Sequence, residues 1–408
     1  MRRVVVTGMG AITPVGNDVE SFWDGIISGK NGIDKVTKFD TTNFKATLAA
    51  EVKDFDPSLY MEKGAARKTD LYTQYALAAA TQAMEDSGIE GTIENDRIGV
   101  YVGSGIGGIK TICEEHTNLM EKGERRVSPL FIPKMITNIA AGNIAIKYGL
   151  NGPCFCVTTA CATGSHCIGE AYRAIKHGYA DAMVAGGSEA AINELSFAGF
   201  INCMALSTSE DKDTASIPFD ARRNGFIMGE GAGVLILEEY ERAVKRGAKI
   251  YGEIAGYGST CDAYHVTAPD PDAKWVTRAI TDAMKEAGLE GETNVYVNTH
   301  GTSTPLNDKT ETAALHAAFG DGAKDIYMSS TKSMTGHMLG AAGAVEAIAA
   351  IKALDEGVIP PTIGYSEADP ECDISCTPNK AVKADIVAAY STSLGFGGHN
   401  ACLAFKKI

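Results

Sequence analysis

Short apolar runs alternate with longer segments of helical periodicity along this chain. Because each run is too short for a buried helix and is bounded by turn residues, the runs predict buried strands. They lie at Val4–Thr7, Ile98–Val102, Ala182–Ala185, Val234–Leu237, Tyr296–Asn298, Ile326–Ser329 and Ala401–Phe405.

Helices are predicted between these strands. One apolar face recurs at i, i+3, i+4 and i+7 and consists of Ile168, Ala171, Tyr172 and Ile175. Gly178 follows as a stop signal, and residues 276–287 repeat the pattern before Gly288. Strands that alternate with helices indicate an α/β fold, and we expect a largely parallel sheet with helices on both faces.

Two segments of the chain resemble each other. Residues 158–164 and residues 330–337 are both rich in small and hydroxyl residues, and both lead into a helix built from small residues. This repetition predicts two related halves, residues 1–250 and 251–408, each directing a turn and a helix start toward a shared centre. No low-complexity linker separates them, so we expect one compact body.

Composition narrows the functional classes. The chain of 408 residues has 51 acidic and 37 basic residues, and its net charge of −14 opposes binding to nucleic acid or anionic lipid. The first residues favour an opening strand over a signal peptide, and the longest weakly polar segment, residues 338–354, is too short and too polar to span a membrane. Ten cysteines are too few for a secreted disulfide framework, so we expect a cytoplasmic protein with reduced thiols.

Cys161 is the strongest candidate nucleophile. It stands between small residues in residues 159–164 (TACATG), at the predicted start of a helix. Backbone N–H groups and the helix dipole stabilise negative charge there, so we expect a lowered pKa for this thiol. A buried structural role is the alternative, and it is our interpretation of Cys113, Cys203 and Cys402.

Two histidines follow predicted strands. His300 lies in residues 296–305 (YVNTHGTSTP), and His337 ends residues 329–337 (SSTKSMTGH), which also contain Lys332. Side chains that follow strands meet at the carboxyl edge of an α/β sheet, where such folds bind ligands. Each histidine alone also fits a structural role, but two in similar surroundings favour a shared site.

A glycine-rich turn, residues 393–400 (SLGFGGHN), carries the aromatic Phe396. Glycines allow backbone N–H groups to approach a ligand, so the turn predicts a donor for an oxyanion, with Phe396 covering the site. A hairpin between two strands is compatible with that interpretation. Residues 103–108 (GSGIGG) lack the context of a dinucleotide loop, and the cysteine pairs at 154/156 and 372/376 lack zinc spacing, so we expect no metal.

Together these motifs resemble those of the β-ketoacyl-acyl carrier protein synthases of the thiolase superfamily. The resemblance extends from Val4 to Phe405 and rests on residues 159–164, 298–304 (NTHGTST), 332–337 (KSMTGH), 395–398 (GFGG) and parts of 218–231. It implies a duplicated, thiolase-like five-layer αβαβα fold, usually in a homodimer. It also implies decarboxylative condensation of an acyl-enzyme thioester with malonyl-acyl carrier protein in fatty-acid elongation.

The resemblance implies roles for single residues as well. Cys161 accepts the acyl chain, and the backbone N–H groups of Cys161 and Phe396 hold the oxyanion of each tetrahedral intermediate. His300 and His337 polarise the malonyl thioester carbonyl, and no metal or redox cofactor is required. Further matched positions are Lys332 and Glu311 for site electrostatics, Thr302 and Thr304 for the phosphopantetheine arm, Ile106 for the acyl pocket and Phe396 for a gating aromatic. An ordinary ion pair is the alternative for Lys332 and Glu311.

Acyl carrier proteins are acidic, so the resemblance implies a basic docking patch on this acidic chain. The candidate residues are Lys63, Arg67, Lys68, Arg125 and Arg126. Two positions depart from the family pattern. Thr299 stands where many relatives have alanine, and Ser209 stands where some carry a further docking arginine, which weakens the expected docking.

Three related activities are alternatives. A thiolase-like or coenzyme-A-primed reaction is disfavoured for two reasons. Coenzyme-A-primed synthases use asparagine where this chain has His337, and thiolases use a second catalytic cysteine elsewhere in the site. A polyketide-type ketosynthase shares the same three residues and differs mainly in its pocket and partner. A non-catalytic chain-length subunit lacks the thiol, so the presence of Cys161 argues against it.

Overall fold

The computed structural model describes residues 1–408, and most of its strands join one ten-stranded sheet. The strands before residue 250 are β1 (Val4–Ile12), β2 (Asp34–Lys35), β3 (Leu48–Ala49), β4 (Ile98–Gly103), β5 (Cys154–Phe155), β6 (Ala182–Glu189) and β7 (Gly231–Glu239). The strands after it are β8 (Gly252–Cys261), β9 (Val295–Asn298), β10 (Tyr327–Ser329), β11 (Val358–Ile359), β12 (Val382–Lys383), β13 (Ala388–Gly395) and β14 (His399–Lys406).

Helices connect most of these strands. In chain order they are α1 (Val19–Ile27), α2 (Lys63–Ala66), α3 (Leu71–Ser87), α4 (Ile109–Lys122), α5 (Phe131–Met135), α6 (Ile139–Tyr148), α7 (Thr163–Lys176), α8 (Glu194–Asn202), α9 (Tyr240–Lys245), α10 (Lys274–Ala287), α11 (Pro305–Phe319), α12 (Lys332–Thr335) and α13 (Ala342–Glu356). None of them is both long and apolar enough to cross a lipid bilayer.

The large sheet contains the same arrangement twice. The first five strands are ordered β5-β4-β6-β7-β1 and the second five β10-β9-β13-β14-β8, with β1 and β8 paired where the two sets meet. In each set the first three strands are parallel and the remaining pairings are antiparallel. The predicted duplication is therefore confirmed, but the expectation of a largely parallel sheet is wrong, because β7 and β14 each run against both of their neighbours.

Helices separate the two sets of strands into layers. Along β7, Val234 and Ile236 pack in one apolar cluster with α3 and α6, whereas Leu235 and Leu237 pack in another with α7 and α13. A third cluster joins α10 and α11 to the far face of β9, β13 and β14. Because successive side chains of a strand point to opposite faces, each half of the sheet is covered on both sides. The result is a five-layer αβαβα arrangement with α7 and α13 in the middle.

The two central helices approach closely because small residues lie between them. A Cβ atom added at Gly343 would lie 2.1 Å from Ser165 Oγ, and one added at Gly164 would lie 2.8 Å from the backbone nitrogen of Ala344. Both distances are shorter than a carbon atom can tolerate, so the contact requires glycine at these positions. The functional turns at the starts of α7 and α13 are consequently held near each other.

Each predicted strand overlaps an observed one, and α10 ends at the predicted stop, where Gly288 adopts the left-handed conformation with φ of 66°. The chain pattern missed β8, which contains several glycines, and β13, whose buried face includes Ser391 and Thr392. A buried hydroxyl residue looks polar in sequence although its strand is internal. The division of the chain at residue 250 stays a prediction; it falls between α9 and β8.

Candidate active site

One cavity of about 360 Å³ holds the cysteine, both histidines and the glycine-rich turn. The predicted site residues that line it are Cys161, Thr302, Thr304, His300, His337 and Phe396. The cysteine comes from the first half of the chain and the others come from the second half. The cavity therefore lies where the two halves meet.

Cys161 lies in a short 3₁₀ turn, Ala160–Ala162, directly before α7. Ala160 has a φ of 50°, a left-handed conformation that is costly for a residue with a Cβ atom. The start of α13 repeats this geometry, with Leu339 at a φ of 48° in the turn Leu339–Ala341. The structure therefore places Gly340 at the position equivalent to Cys161, which gives the register of the internal repeat.

Burial decides the protonation state of Cys161. It raises the pKa of this thiol to about 12, although the charge of Lys332 and the backbone N–H of Phe396 act in the opposite direction. The expectation of a lowered pKa is therefore wrong, because loss of hydration outweighs the helix start. Cys161 is a thiol at neutral pH, and acyl transfer requires its proton to leave.

The glycine-rich turn between β13 and β14 lies against the cysteine turn. The Phe396 backbone N–H forms a hydrogen bond with the Cys161 thiol. A Cβ atom at Gly395 would lie 2.6 Å from the carbonyl oxygen of Thr159 and 3.3 Å from the nitrogen of Cys161, so this approach needs a glycine. Two backbone donors, those of Cys161 and Phe396, consequently lie beside the same sulfur atom, as an oxyanion site requires.

The two histidine rings line the same cavity and pack against each other. Their centroids are 5.2 Å apart with the planes nearly perpendicular, and Phe226 packs its ring edge to face against His337. Nδ1 of His300 and both ring nitrogens of His337 have no hydrogen-bond partner. Burial, followed by the charge of Lys332, lowers the pKa of both histidines well below the usual range. Both rings are neutral at neutral pH and have free nitrogens for a ligand.

Lys332 and Glu311 are not paired with each other. Lys332 forms a buried ion pair with Glu346 of α13, a residue that the motif analysis did not single out. Glu311 instead accepts backbone hydrogen bonds from His300 at 2.7 Å and Gly301 at 2.8 Å. The alternative of an ordinary ion pair therefore holds for Lys332 but not for Glu311, and the role of both residues in site electrostatics stays a prediction. Glu311 fixes the backbone of the His300 turn, and Lys332 sets the local charge.

The carboxyl group of Glu311 is itself perturbed. Burial raises its pKa to about 7, although the N–H groups of Gly301 and His300 and the hydroxyl of Thr392 favour the ionised form. Thr392 donates to Glu311 at 2.6 Å and accepts from the His300 N–H at 3.2 Å. Sequence analysis missed this threonine because a hydroxyl residue within a strand carries no motif of its own.

Thr302 and Thr304 lie together on the cavity wall, with their hydroxyl oxygens 2.8 Å apart. Ile106 does not line this cavity; it packs against an apolar cluster that Cys161 also contacts. Its assignment to an acyl pocket stays a prediction. Apolar lining that the motifs did not indicate comes from Phe200, Met204, Phe226, Pro269 and Leu306.

The glycine loop at residues 103–108 surrounds a buried carboxylate. Glu189, at the end of β6, accepts hydrogen bonds from the Ser104 hydroxyl at 2.7 Å and from the backbone N–H groups of Gly105 and Gly340 at 2.9 and 3.0 Å. Burial raises the pKa of Glu189 to about 6. The loop therefore holds a buried carboxylate rather than a ligand. Sequence analysis missed Glu189, although an acidic residue at the end of a buried strand is a signal that could have found it.

The five candidate docking residues are all exposed. Lys63, Arg67 and Lys68 are in or just after α2, and Arg125 and Arg126 are in a 3₁₀ turn after α4. None of them forms an ion pair within the chain. Their charges are therefore free to attract an acidic partner, and their role in docking stays a prediction.

Comparisons with known proteins agree with this geometry. Models of the β-ketoacyl synthase N-terminal and C-terminal domains match residues 1–243 and 251–366. The chain belongs to the β-ketoacyl synthase family. It is 50% identical to the 3-oxoacyl-[acyl-carrier-protein] synthase 2 of Synechocystis sp., over 100% of this chain and 98% of that protein.

Solved structures extend the comparison to the fold. A β-ketoacyl synthase from Burkholderia phymatum superimposes with a TM-score of 0.93 at 34% identity, covering 100% of both chains. A type II PKS acyl-carrier protein in complex with its ketosynthase, bound to the hexaketide, matches with a TM-score of 0.91 at 34% identity over 100% of this chain and 99% of that one. The thiolase-like fold expected from the sequence is confirmed.

Proposed function

We propose that this chain catalyses the decarboxylative condensation of an acyl-enzyme thioester with malonyl-acyl carrier protein. The products are 3-oxoacyl-acyl carrier protein and CO₂, in the elongation step of type II fatty-acid synthesis. The observation that carries this proposal is the single cavity that joins Cys161 to His300 and His337. Relatives that share half of the residues of this chain are named for the same activity.

The first step transfers the acyl group to Cys161. The thiol proton moves to the neutral imidazole of His337 as Sγ attacks the carbonyl carbon of the acyl thioester. The oxyanion that forms accepts hydrogen bonds from the backbone N–H groups of Cys161 and Phe396. The carbon–sulfur bond to the carrier then breaks, the carrier thiolate regains the proton, and Cys161 is left as an acyl thioester.

The second step breaks and forms carbon–carbon bonds. Free ring nitrogens of His300 and His337 donate hydrogen bonds to the malonyl thioester carbonyl, which stabilises the enolate formed as the bond to the carboxylate breaks and CO₂ leaves. The enolate carbon attacks the acyl carbon on Cys161. The bond from that carbon to Sγ then breaks, and the thiolate that leaves takes up a proton from solvent.

Purified protein with acyl- and malonyl-acyl carrier protein tests this reaction. The expected product is a carrier thioester two carbons longer, with one CO₂ released per product, measured by mass spectrometry. Repeated extension without reduction would indicate a polyketide-type ketosynthase, and no extension would indicate a non-catalytic chain-length subunit. The second result would disagree with the thiol that lines the cavity.

Acyl carrier protein is the proposed partner, and Lys63, Arg67, Lys68, Arg125 and Arg126 form the proposed docking patch. Replacing Arg67, Lys68 and Arg126 together with glutamate is expected to raise KM for the carrier substrate about tenfold at low salt, because attraction becomes repulsion. The difference should shrink as ionic strength rises, since salt shortens the range of the interaction. Initial rates at several salt concentrations measure both effects.

A matched control uses the same charge change elsewhere. Lys285, Lys380 and Lys383 are also exposed and unpaired, and their replacement with glutamate leaves the net charge equal to that of the patch variant. KM should stay near the original value in this control. If both triple variants raise KM equally, the effect belongs to overall charge and the patch assignment fails.

A homodimer in the cytoplasm is also proposed. Strand β5 is an edge of the large sheet, and the side chain of Phe155 in it is 47% exposed. Open sheet edges with exposed aromatic residues favour pairing with another chain, so a second copy is the proposed cover. All ten cysteines are free thiols, which agrees with a reducing compartment.

A further inference from the structure

His166 is a buried polar side chain that the condensation chemistry leaves unused. It lies in the first turn of α7, is only 5% exposed and does not line the cavity. Both ring nitrogens have hydrogen-bond partners: Nδ1 is 2.8 Å from Thr159 Oγ1, and Nε2 is 3.1 Å from Ser259 Oγ. A ring held at both nitrogens has a fixed orientation.

The first partner, Thr159, begins the turn that carries Cys161. Its backbone N–H donates to Thr163 Oγ1 at 2.9 Å, and its carbonyl oxygen accepts from the N–H of Ala162 at 3.1 Å. The next residue, Ala160, is in the left-handed conformation, which persists only where its surroundings hold it. The hydroxyl of Thr159 contacts His166 alone, so this hydrogen bond ties the strained turn to α7.

The second partner connects His166 to the strands behind the glycine-rich turn. Ser259 lies in β8 opposite Ala401 of β14. His399, the first residue of β14, has its ring centroid 6.5 Å from that of His166 in an edge-to-face arrangement. Because β14 starts directly after the turn with Phe396, His166 lies between the elements that supply the two oxyanion donors.

We propose that His166 is a positioning residue that sets the Cys161 N–H relative to the Phe396 N–H. This inference rests on the proposed function, because it assumes that Cys161 is acylated. Burial, with a smaller contribution from His399, lowers the pKa of His166 to about 4, so the ring is neutral. A neutral imidazole has one donor and one acceptor, which the hydroxyls of Thr159 and Ser259 complement.

Two reactions of the same sulfur separate positioning from structural support. Acylation of Cys161 by acyl-acyl carrier protein passes through an oxyanion, whereas alkylation by iodoacetamide does not. His166→Ala and Thr159→Val are each expected to slow acylation about 10- to 100-fold, since loss of alignment at an oxyanion donor has effects of this size. Alkylation should stay near the original rate in both variants. Intact mass at successive times measures acylation, and the mass of the proteolytic peptide that contains Cys161 measures alkylation at this sulfur, since the chain has nine other free thiols.

Variants with an amide side chain at position 166 show which ring nitrogen matters. An asparagine at position 166 places its amide near the position of Nδ1 and retains the bond to Thr159, so His166→Asn should recover acylation, whereas His166→Gln should not. Once Thr159→Val is present, His166→Ala should slow acylation less than it does alone, because the hydrogen bond between these two residues is already lost. His116→Ala, at an exposed ring on α4, is the control and should change neither reaction.

The rates of acylation and alkylation decide whether His166 has the proposed positioning role. Unchanged acylation in both His166→Ala and Thr159→Val overturns the positioning role. An equal loss of acylation and alkylation also overturns it, because it shows general disturbance of the cysteine turn. If the unmodified enzyme is not acylated at Cys161, the proposed function fails and the inference falls with it. Slow acylation with normal alkylation and recovery in His166→Asn supports it.

Discussion

Replacing Cys161 with alanine is expected to reduce condensation by about 10⁴-fold or more, because loss of the nucleophile removes the covalent route entirely. No acyl-enzyme forms, so the elongated carrier thioester should be undetectable by mass spectrometry. Release of CO₂ from malonyl-acyl carrier protein should continue, because His300 and His337 remain in the cavity. The variant therefore separates decarboxylation from carbon–carbon bond formation.

Cys203→Ala provides the matched control. This second thiol also lines the cavity, but it is exposed, and its loss should leave condensation close to the original rate. Protein mass after incubation with acyl-acyl carrier protein should show one acyl group on the original chain and on Cys203→Ala. Continued elongation by Cys161→Ala would contradict the assignment of the nucleophile.

His300→Ala is expected to slow malonyl decarboxylation about 10²- to 10³-fold, because one of two donors to the developing enolate oxygen is lost. Acyl transfer to Cys161 should be less affected, since its oxyanion is held by backbone N–H groups rather than by this ring. The two half-reactions are measured separately, as CO₂ release and as acyl-enzyme mass. An equal reduction of both would contradict this division of labour.

The control for His300 tests whether any loss reflects stability. His177→Ala changes an exposed ring just after α7 that has no hydrogen bond to another side chain, so neither half-reaction should change. The melting temperature of His300→Ala should stay close to that of the original chain, because the backbone N–H at this position still donates to Glu311 in the variant. Thermal unfolding measures this. A folded protein with selective loss of decarboxylation is the expected result.

Local patterns were sufficient to predict the duplicated fold and the group of residues that converge. Cys161, His300 and Phe396 each occupy a turn that follows a strand, and turns at strand ends meet in a sheet of this kind. A turn after a strand is specified by residues that are adjacent in the sequence, so its position could be predicted without the structure.

Long-range effects could not be predicted in the same way. The partner of Lys332 is Glu346, on the face of a helix whose composition indicated only a small-residue core. The pKa of Cys161 depends on how completely water is excluded, which is a property of the assembled cavity and reverses the expectation from the helix start. Thr392 and Glu189 act through backbone groups far away in sequence.

The glycine contact between α7 and α13 restricts how the substrate range of this enzyme can evolve. Even a methyl group at Gly343 would force the helices apart, and with them the sulfur and the imidazoles that these helices align. Met204 and Leu306 also line the cavity, but their side chains are exposed and do not lie between the two helices, so they can vary in size. Changes in size are therefore tolerated at these exposed positions, whereas the contact between the two helices allows none.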